Sequence, residues 1–328
     1  MNTNNHATPQ EPILSGFGPR TTAQEVLGGQ DLTGKIAIIT GGYSGLGLEA
    51  TRVLASAGAT VIVPVKTVEK AQAALSEILG VELVRMDLMD PASIDAFAEK
   101  FLASNRPLHM LINAAGIMAN PLVRDHRGYE SQLATNHLGH FQLTARLWPA
   151  LEKAKGARIV SVSSRAHQMS GIDFEDLNFN NRPYDKFVAY GQSKTANVLF
   201  AVEMDKRGRA YGVRAFSVHP GSILTDLSRY LTEDDMRAMG VLNEQGELVF
   251  PEFNDEFKTI PEGAATIVWC ATSPQLNDKG GVYCENGDIA SLTDTRFAPG
   301  VFEWAVNSGH AQRLWQTTEQ LVGLEFSI

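Results

Sequence analysis

Short apolar runs alternate with longer amphipathic stretches along most of the chain. Seven runs rich in β-branched and aromatic residues predict strands, at residues 35–40, 60–65, 81–87, 109–116, 157–164, 212–221 and 280–284. Between them, apolar residues recur at helical spacing and predict helices over 48–57, 68–79, from 90 onward, 127–153, 188–208 and 262–272. Apolar strands separated by helices are typical of a doubly wound α/β fold, in which a parallel sheet is buried on both faces. Ligands of such sheets bind at the carboxyl ends of the strands.

The regular alternation runs from about residue 33 to residue 290 without a change of composition, which favours one domain. Residues 1–32 form an N-terminal extension, in which residues 1–12 are expected to be mobile and Thr22 with Glu25 predicts a capped short helix. Residues 222–261 are acidic and irregular, and we expect them to form a substrate lid. Residues 291–328 form a C-terminal extension.

Composition narrows the functional classes. The 328 residues are 44% hydrophobic, enough for a globular core, and the net charge of −9 disfavours nucleic acid as a partner. Cys270 and Cys284 fit neither a disulfide scaffold nor a zinc site, so a reducing compartment is expected. The sequence shows neither a secretory leader nor a membrane span, and we therefore expect a cytoplasmic protein. His137 and His140 are interpreted as packing residues, with no metal expected.

A glycine-rich turn follows the first predicted strand and precedes a helix. In Thr40-Gly41-Gly42-Tyr43-Ser44-Gly45-Leu46-Gly47, glycines permit a tight turn and let the backbone approach a pyrophosphate at the helix N-terminus. Taken alone, the motif is equally compatible with an ordinary loop.

A second motif places Tyr190 four residues before Lys194, on one helix face. A nearby ammonium favours the phenolate, so Lys194 is expected to bring the Tyr190 pKa closer to neutrality for proton transfer to a carbonyl. The alternative, for an isolated motif of this kind, is an ordinary tyrosine with a surface lysine.

With TGxxxGxG, NAAG and YxxxK in this order, the chain resembles the short-chain dehydrogenase/reductase family over about residues 33–290. TNHLGHF, VSSRAH, GGVYCENGDIA and RLWQTTEQLVG resemble its retinol dehydrogenase and WW-domain oxidoreductase branch, although no WW module is present. The resemblance implies a single Rossmann domain with a seven-stranded parallel sheet. It also implies a catalytic tetrad of Asn136, Ser164, Tyr190 and Lys194. Ser164 would hold the reacting oxygen, and Asn136 would relay protons with Lys194.

The same resemblance implies the residues that hold the dinucleotide. They are Gly41, Tyr43, Ser44, Gly45, Leu46 and Gly47 in the glycine turn, Asp87 and Leu88 at the adenine, Asn113, Ala114, Ala115 and Gly116 in NAAG, Tyr190 and Lys194, and Pro220, Gly221, Ile223 and Thr225 in the nicotinamide loop.

Cofactor preference is predicted from the end of the second strand. NAD-specific members of such folds place a carboxylate there, whereas this chain has Val65 followed by Lys66 and Thr67, which could bind a 2′-phosphate. We therefore expect an NADP(H)-preferring alcohol dehydrogenase or ketone reductase, with NAD(H) use left open. The alternatives are an NAD-dependent dehydrogenase of this family and a non-catalytic dinucleotide sensor. The resemblance also implies a homodimer or homotetramer, paired through the helices that carry Asn136 and Tyr190.

Overall fold

The computed structural model describes residues 7–223, 225–247, 249 and 255–328. The strands are β1 Ile36–Thr40, β2 Thr60–Val65, β3 Val81–Arg85, β4 Met110–Asn113, β5 Arg158–Val162, β6 Arg214–His219, β7 Val282–Glu285 and β8 Asp288–Ile289. They form one sheet in the order β3-β2-β1-β4-β5-β6-β7-β8. Strands β1 to β7 pair in parallel, which confirms the predicted α/β class.

The eighth strand corrects the prediction of a seven-stranded, wholly parallel sheet. Strand β8 pairs antiparallel with β7, with Glu285 opposite Asp288. The intervening Asn286 and Gly287 have φ angles of 54° and 73°, which is the left-handed backbone of a two-residue hairpin turn. The Asn-Gly dipeptide is itself a hairpin signal, and the sequence interpretation overlooked it.

Eleven α-helices are assigned in the described residues. They are α1 Ala23–Leu27, α2 Gly45–Ser56, α3 Val68–Leu75, α4 Pro91–Ala103, α5 Ser131–Leu133, α6 Gly139–Lys153, α7 Lys186–Gly208, α8 Glu233–Ala238, α9 Ile260–Thr272, α10 Glu303–Val306 and α11 Ser308–Val322. The single helix predicted over 127–153 begins at Ser131 and is interrupted by a π-helix at Ala134–Leu138.

Alternate side chains of each central strand face opposite helix layers. In β1, Ala37 and Ile39 join a core with helices α1, α2, α3 and α9, whereas Ile36 and Ile38 join a second core with α4, α6 and α7. Burial on both faces is why these strands are apolar throughout instead of alternating with polar residues.

Both extensions pack against the rest of the fold, the N-terminal one beside β7 and β8 and the C-terminal one, through Trp315 and Phe326, in the core shared with α6 and α7. Thr22 and Glu25 form the predicted capping box at the start of α1. Contrary to the expected mobility, Gln10 donates to the carbonyls of Tyr283 and Ala290 beside β7 and β8, at 2.8 and 2.7 Å. Residues 1–6 lie outside the described residues.

Candidate active site

The glycine turn sits where β1 ends and α2 begins. Gly41 has a φ of 69°, and a Cβ there would lie 3.0 Å from the Ala115 Cα, so the turn needs a glycine on both counts. A Cβ on Gly47 would lie 2.3 Å from the Gly41 carbonyl oxygen. Ser44 is the N-cap of α2, and its side chain makes no capping hydrogen bond. The turn therefore brings bare backbone close to the N-terminus of a twelve-residue helix.

Thr40 fastens this turn to the NAAG segment. The Thr40 hydroxyl accepts hydrogen bonds from the amides of Ala114 and Ala115, at 3.0 and 3.1 Å. Thr40 is also in register with Asn113, so the carboxyl ends of β1 and β4 lie side by side. The Asn113 side chain is buried near Thr144, whereas Ala114, Ala115 and Gly116 are partly exposed at this edge.

The π-helix carries Asn136 into the same region. The Asn136 amide makes two hydrogen bonds with the backbone of Ile117, accepting at 2.9 Å and donating at 3.0 Å. Its Nδ2 also donates to the Ser193 Oγ at 2.9 Å. A Cβ on Gly116 would lie 3.1 Å from the Asn136 Oδ1 and 3.7 Å from the Lys194 Nζ. Asn136 and Lys194 therefore meet beside Gly116.

Ser164 follows β5 and is the N-cap of a short 3₁₀ helix, Arg165–Gln168. Its Oγ accepts from the Ala166 amide at 3.2 Å and forms a side-chain hydrogen bond with Tyr190. On α7, the Lys194 Nζ donates to the Val162 carbonyl at 3.0 Å and lies 5.5 Å from the centroid of the Tyr190 ring. The structure thus brings together all four residues predicted for the tetrad.

Burial controls the protonation of this pair. It raises the pKa of Tyr190 to about 12, against the opposing effect of the Ser164 hydrogen bond. The prediction that the Lys194 charge brings the Tyr190 pKa towards neutrality is therefore wrong in direction, because desolvation of the phenol dominates. Burial also lowers the pKa of Lys194 to about 8. At neutral pH Tyr190 holds a proton, as an acid that protonates a carbonyl must.

The Pro220-Gly221 loop closes the site from β6. A Cβ on Gly45 in the glycine turn would lie 3.2 Å from the Thr225 Cγ2, and one on Gly263 would lie 2.7 Å from the Ile223 Cδ1. Thr225 and Ile223 therefore reach back to the start of α2 and to α9, and the loop borders the predicted pyrophosphate position.

At the other end of the site, the ends of β2 and β3 carry Lys66 and Asp87. These side chains form an ion pair, with 2.6 Å between Nζ and Oδ2. The Lys66 side chain is 69% exposed. Leu88, by contrast, is buried, and its carbonyl oxygen would lie 2.4 Å from a Cβ on Gly139. The ion pair was not foreseen, because it joins residues from two different strands.

Glu256 is a further site residue that the sequence did not reveal. Its carboxylate accepts hydrogen bonds from Ser222 at 2.9 Å and from Arg165 at 2.8 Å, and it contacts His219 at 3.1 Å. Burial opposes ionisation of Glu256, but the adjacent His219 and Arg165 hold its pKa well below the usual range. Glu256 thus ties the far end of the predicted lid to the residues next to Ser164 and Pro220.

These observations fit a dinucleotide at the carboxyl ends of β1, β2, β4 and β6. Gly41 and Gly47 let the turn pack tightly against Ala115 and against itself, and the α2 N-terminus has no side-chain cap from Ser44. A phosphate would suit that N-terminus. In the part of the chain that the structure describes, no cluster of three or more metal-ligating side chains was found.

The comparisons agree with this architecture, and the chain belongs to the short-chain dehydrogenase family. The family profile described as "short chain dehydrogenase" matches residues 35–236. Human retinol dehydrogenase 12 is 38% identical over 301 residues, covering 90% of this chain and 88% of that protein. Chicken WW domain-containing oxidoreductase is 34% identical over 324 residues, or 95% of this chain and 73% of that protein. Both the family and the branch expected from the sequence are thereby confirmed.

Two further similarities concern bacterial proteins. A "Probable oxidoreductase" of Streptomyces lividans is 44% identical over 294 residues, covering 87% of this chain and 97% of that protein. The crystal structure of an uncharacterized Mycobacterium paratuberculosis protein has a TM-score of 0.70 at 33% identity, covering 91% of this chain and 97% of that one. The chain is accordingly an NAD(P)-dependent oxidoreductase acting on CH–OH or C=O groups. Among the described helices, none has the length and apolar character needed to cross a bilayer.

Proposed function

We propose that the protein reduces a ketone or aldehyde, or oxidises the corresponding alcohol, with NADP(H) as the preferred cofactor. The observation that carries the proposal is the meeting of Ser164, a protonated Tyr190 and a buried Lys194 next to the NAAG segment. The glycine turn, NAAG and the Pro220-Gly221 loop are the residues that would hold the dinucleotide.

In the reductive direction, a bound reduced nicotinamide would supply the hydride to the carbonyl carbon. The Ser164 Oγ accepts a hydrogen bond from the Ala166 amide. The hydroxyl proton of Ser164 is therefore left for donation to the carbonyl oxygen of the substrate. Tyr190 transfers its proton to that oxygen, and the Lys194 ammonium stabilises the resulting phenolate. Asn136 holds the segment around Ile117 and Gly116, and the Lys194 side chain lies against this segment. A proton relay through Lys194 requires this placement.

The preference for NADP(H) rests on Lys66 and Thr67. Both are exposed at the end of β2, with no carboxylate at positions 65–67 to repel a 2′-phosphate. A solved structure with an NADP complex, of Pseudomonas aeruginosa RhlG, shares the fold at a TM-score of 0.60 and 21% identity. Use of NAD(H) is the alternative, because the Lys66 ammonium already forms an ion pair with Asp87 and would have to bind the 2′-phosphate in competition with it. A dinucleotide sensor without turnover is disfavoured because all four tetrad residues are present and together.

The deciding experiment is a spectrophotometric screen at about 340 nm of aromatic ketones, steroids, retinoids and aliphatic alcohols with both cofactors. Turnover that needs Tyr190 and is faster with NADPH supports the proposal. Binding of NADPH without turnover of any tested compound would favour the sensor, and faster turnover with NADH would favour the NAD-dependent alternative.

We also propose the division into an N-terminal extension over 1–32, a dehydrogenase domain over 33–290 with a lid over 222–261, and a C-terminal extension over 291–328. Residues 224, 248 and 250–254 of the lid lie outside the described residues. A cytoplasmic location is supported by two free, buried cysteines. A homo-oligomer through α6 and α7 has less support, because Trp315 and Phe326 of the C-terminal extension join the core that these helices form.

A further inference from the structure

His140 lies at the centre of a buried chain of hydrogen bonds between two parts of the site. Its Nε2 is 2.8 Å from the Thr40 Oγ1, and its Nδ1 is 3.0 Å from the backbone carbonyl oxygen of Asn136. Thr40, Asn136 and His140 are 1%, 0% and 2% exposed. The imidazole therefore joins the residue that anchors NAAG to the tetrad residue of the π-helix.

The positions of the protons follow from the partners. The Asn136 carbonyl can only accept, so the His140 Nδ1 carries a hydrogen and donates it. Burial lowers the pKa of His140 to about 4, with the neighbouring Lys194 charge acting in the same direction, so the ring is neutral. Its Nε2 then has a lone pair, and the Thr40 hydroxyl donates to it.

This assignment also satisfies Thr40 completely. A hydroxyl has one hydrogen and two lone pairs, and the amides of Ala114 and Ala115 use both lone pairs. If His140 were an imidazolium, its Nε2 hydrogen would compete with these amides. The Thr40 hydrogen would then turn to the Ile112 carbonyl, a longer contact of 3.5 Å. Only the neutral Nδ1–H form makes every short contact a donor–acceptor pair.

We propose that His140, as the neutral Nδ1–H tautomer, is a positioning residue that holds the Asn136 carbonyl in the π-helix and orients the Thr40 hydroxyl beneath NAAG. The proposal rests on the proposed function, because it is in that reaction that Asn136 relays protons. A residue that only packs, which is the role the sequence predicts for His140, would need neither ring nitrogen to make a hydrogen bond.

Two substitutions test the roles of the two His140 ring nitrogens separately. In His140→Asn, the side-chain amide can occupy the place of Nδ1 and donate to Asn136, whereas in His140→Gln it can reach the place of Nε2 and contact Thr40. We expect His140→Gln to lower kcat about tenfold and to change NADPH affinity less than about threefold. We expect His140→Asn to keep kcat within about threefold and to weaken NADPH binding instead.

The matched control is His137→Gln, in the π-helix that directly precedes α6, the helix that carries His140. His137 is equally buried at 2% exposure, but its Nε2 contacts Thr318 of α11 at 2.8 Å. We expect this variant to keep kcat and NADPH affinity within about threefold. Equal losses in His140→Asn and His140→Gln, or no loss in either, would overturn the positioning role.

The tautomer is measured on the parent protein, so it does not depend on the folding of any variant. Long-range ¹H–¹⁵N correlations of the ¹⁵N-labelled full chain should show His140 as neutral Nδ1–H from about pH 6 to 9. His167 has the same pattern, accepting from Phe302 at Nε2, so assignment through the backbone is needed to tell them apart. An Nε2–H tautomer or an imidazolium at His140 overturns the proposal.

Failure of the proposed function gives a different result. If Tyr190→Phe turns over as fast as the parent, the proposed chemistry fails whatever the tautomer of His140. If Tyr190→Phe is inactive while His140→Gln matches the parent, only the positioning role fails.

Discussion

Lys66 and Asp87 form an ion pair across the ends of β2 and β3, with 2.6 Å between Nζ and Oδ2. The Lys66 side chain is 69% exposed, and such surface pairs contribute at most about 1 kcal/mol. A 2′-phosphate carries more negative charge than one carboxylate and can compete for the same ammonium. We therefore expect the ion pair to hold Lys66 next to the proposed adenine position and to leave its ammonium able to bind a phosphate.

Lys66→Asp is the first prediction that follows. An acidic side chain at this exposed position repels a 2′-phosphate, so kcat/KM with NADPH should fall at least about tenfold while kcat/KM with NADH changes little. The exchange is made at Lys66 because Val65 is 1% exposed, and a carboxylate there would be buried. Initial rates with both cofactors provide the measurement.

Lys100→Asp is the control for net charge, since Lys100 is exposed in the last turn of α4. It should leave the ratio of the two cofactors unchanged. A parent enzyme that already favours NADH, or an unchanged ratio in Lys66→Asp, would contradict the assignment of Lys66.

Tyr190→Phe tests the proton donor. Loss of a positioned general acid costs about 10² to 10⁴ in rate, so kcat should fall by this factor, while NADPH affinity stays within about threefold because the ring remains. Tyr211→Phe is the matched control, because Tyr211 is 42% exposed and packs edge-on against Trp148. Activity of Tyr190→Phe within a few-fold of the parent would exclude Tyr190 as the donor.

The pH profile tests Lys194. Because burial places the Lys194 pKa at about 8, the ammonium is present below this pH and is lost above it, whereas Tyr190 with a pKa of about 12 keeps its proton. With saturating NADPH, kcat/KM for ketone reduction should be level near pH 6 and fall above about pH 8. Lys194→Arg keeps its charge at higher pH and should remove this fall. A fall at the same pH in both proteins would assign it to another group.

Much of the fold could be predicted from local patterns. The apolar runs around Ile38, Ile62 and Ile112 and the helical spacing between them were sufficient for a parallel sheet. The Thr40–Gly47 turn, Tyr190 and Lys194 could be located because each motif is short and lies on one strand–helix junction or one helix face. Strand β8 was overlooked although Asn286-Gly287 marks its turn.

The features that local patterns could not predict depend on contacts between residues distant in the chain. Glu256 meets Arg165 91 positions away, and the Thr40–His140 contact spans 100 positions. The π-helix at Ala134–Leu138 has no local signature, because it differs from an α-helix by one widened turn. The direction of the Tyr190 pKa shift was mistaken for a related reason, since spacing reveals the neighbouring charge but not the burial that outweighs it.

The lid can be tested through Lys186. This residue at the start of α7 forms an ion pair with Asp235 of α8, within the predicted lid. If the proposed lid closes over the nicotinamide end, residues 226–247 should gain hydrogen-exchange protection when NADPH and product bind. Lys186→Met should reduce this gain and raise the carbonyl KM, with little change in NADPH affinity. The control is Lys206→Met, whose lysine pairs with Glu203 on the same helix. Equal protection in the free and bound parent would argue against a lid.

Trp315 is expected to be a main source of stability in the C-terminal extension. Its ring is 2% exposed, stacks on Phe326 with 5.0 Å between centroids and meets Phe141 edge-on at 4.9 Å. Removing a large buried aromatic side chain costs about 3–5 kcal/mol, so Trp315→Ala should lower the urea midpoint markedly.

Trp315→Phe keeps an aromatic ring and should lose much less stability. Comparing it with Trp315→Ala separates the effect of lost side-chain volume from any effect of the mutation on synthesis or handling of the protein. Because Trp315 and Phe326 cover apolar residues of α6 and α7, Trp315→Ala should also expose surface that promotes self-association. Light scattering after size-exclusion chromatography measures this directly. A Trp315→Ala protein with the parent's urea midpoint and molar mass would show that the extension contributes little to the fold.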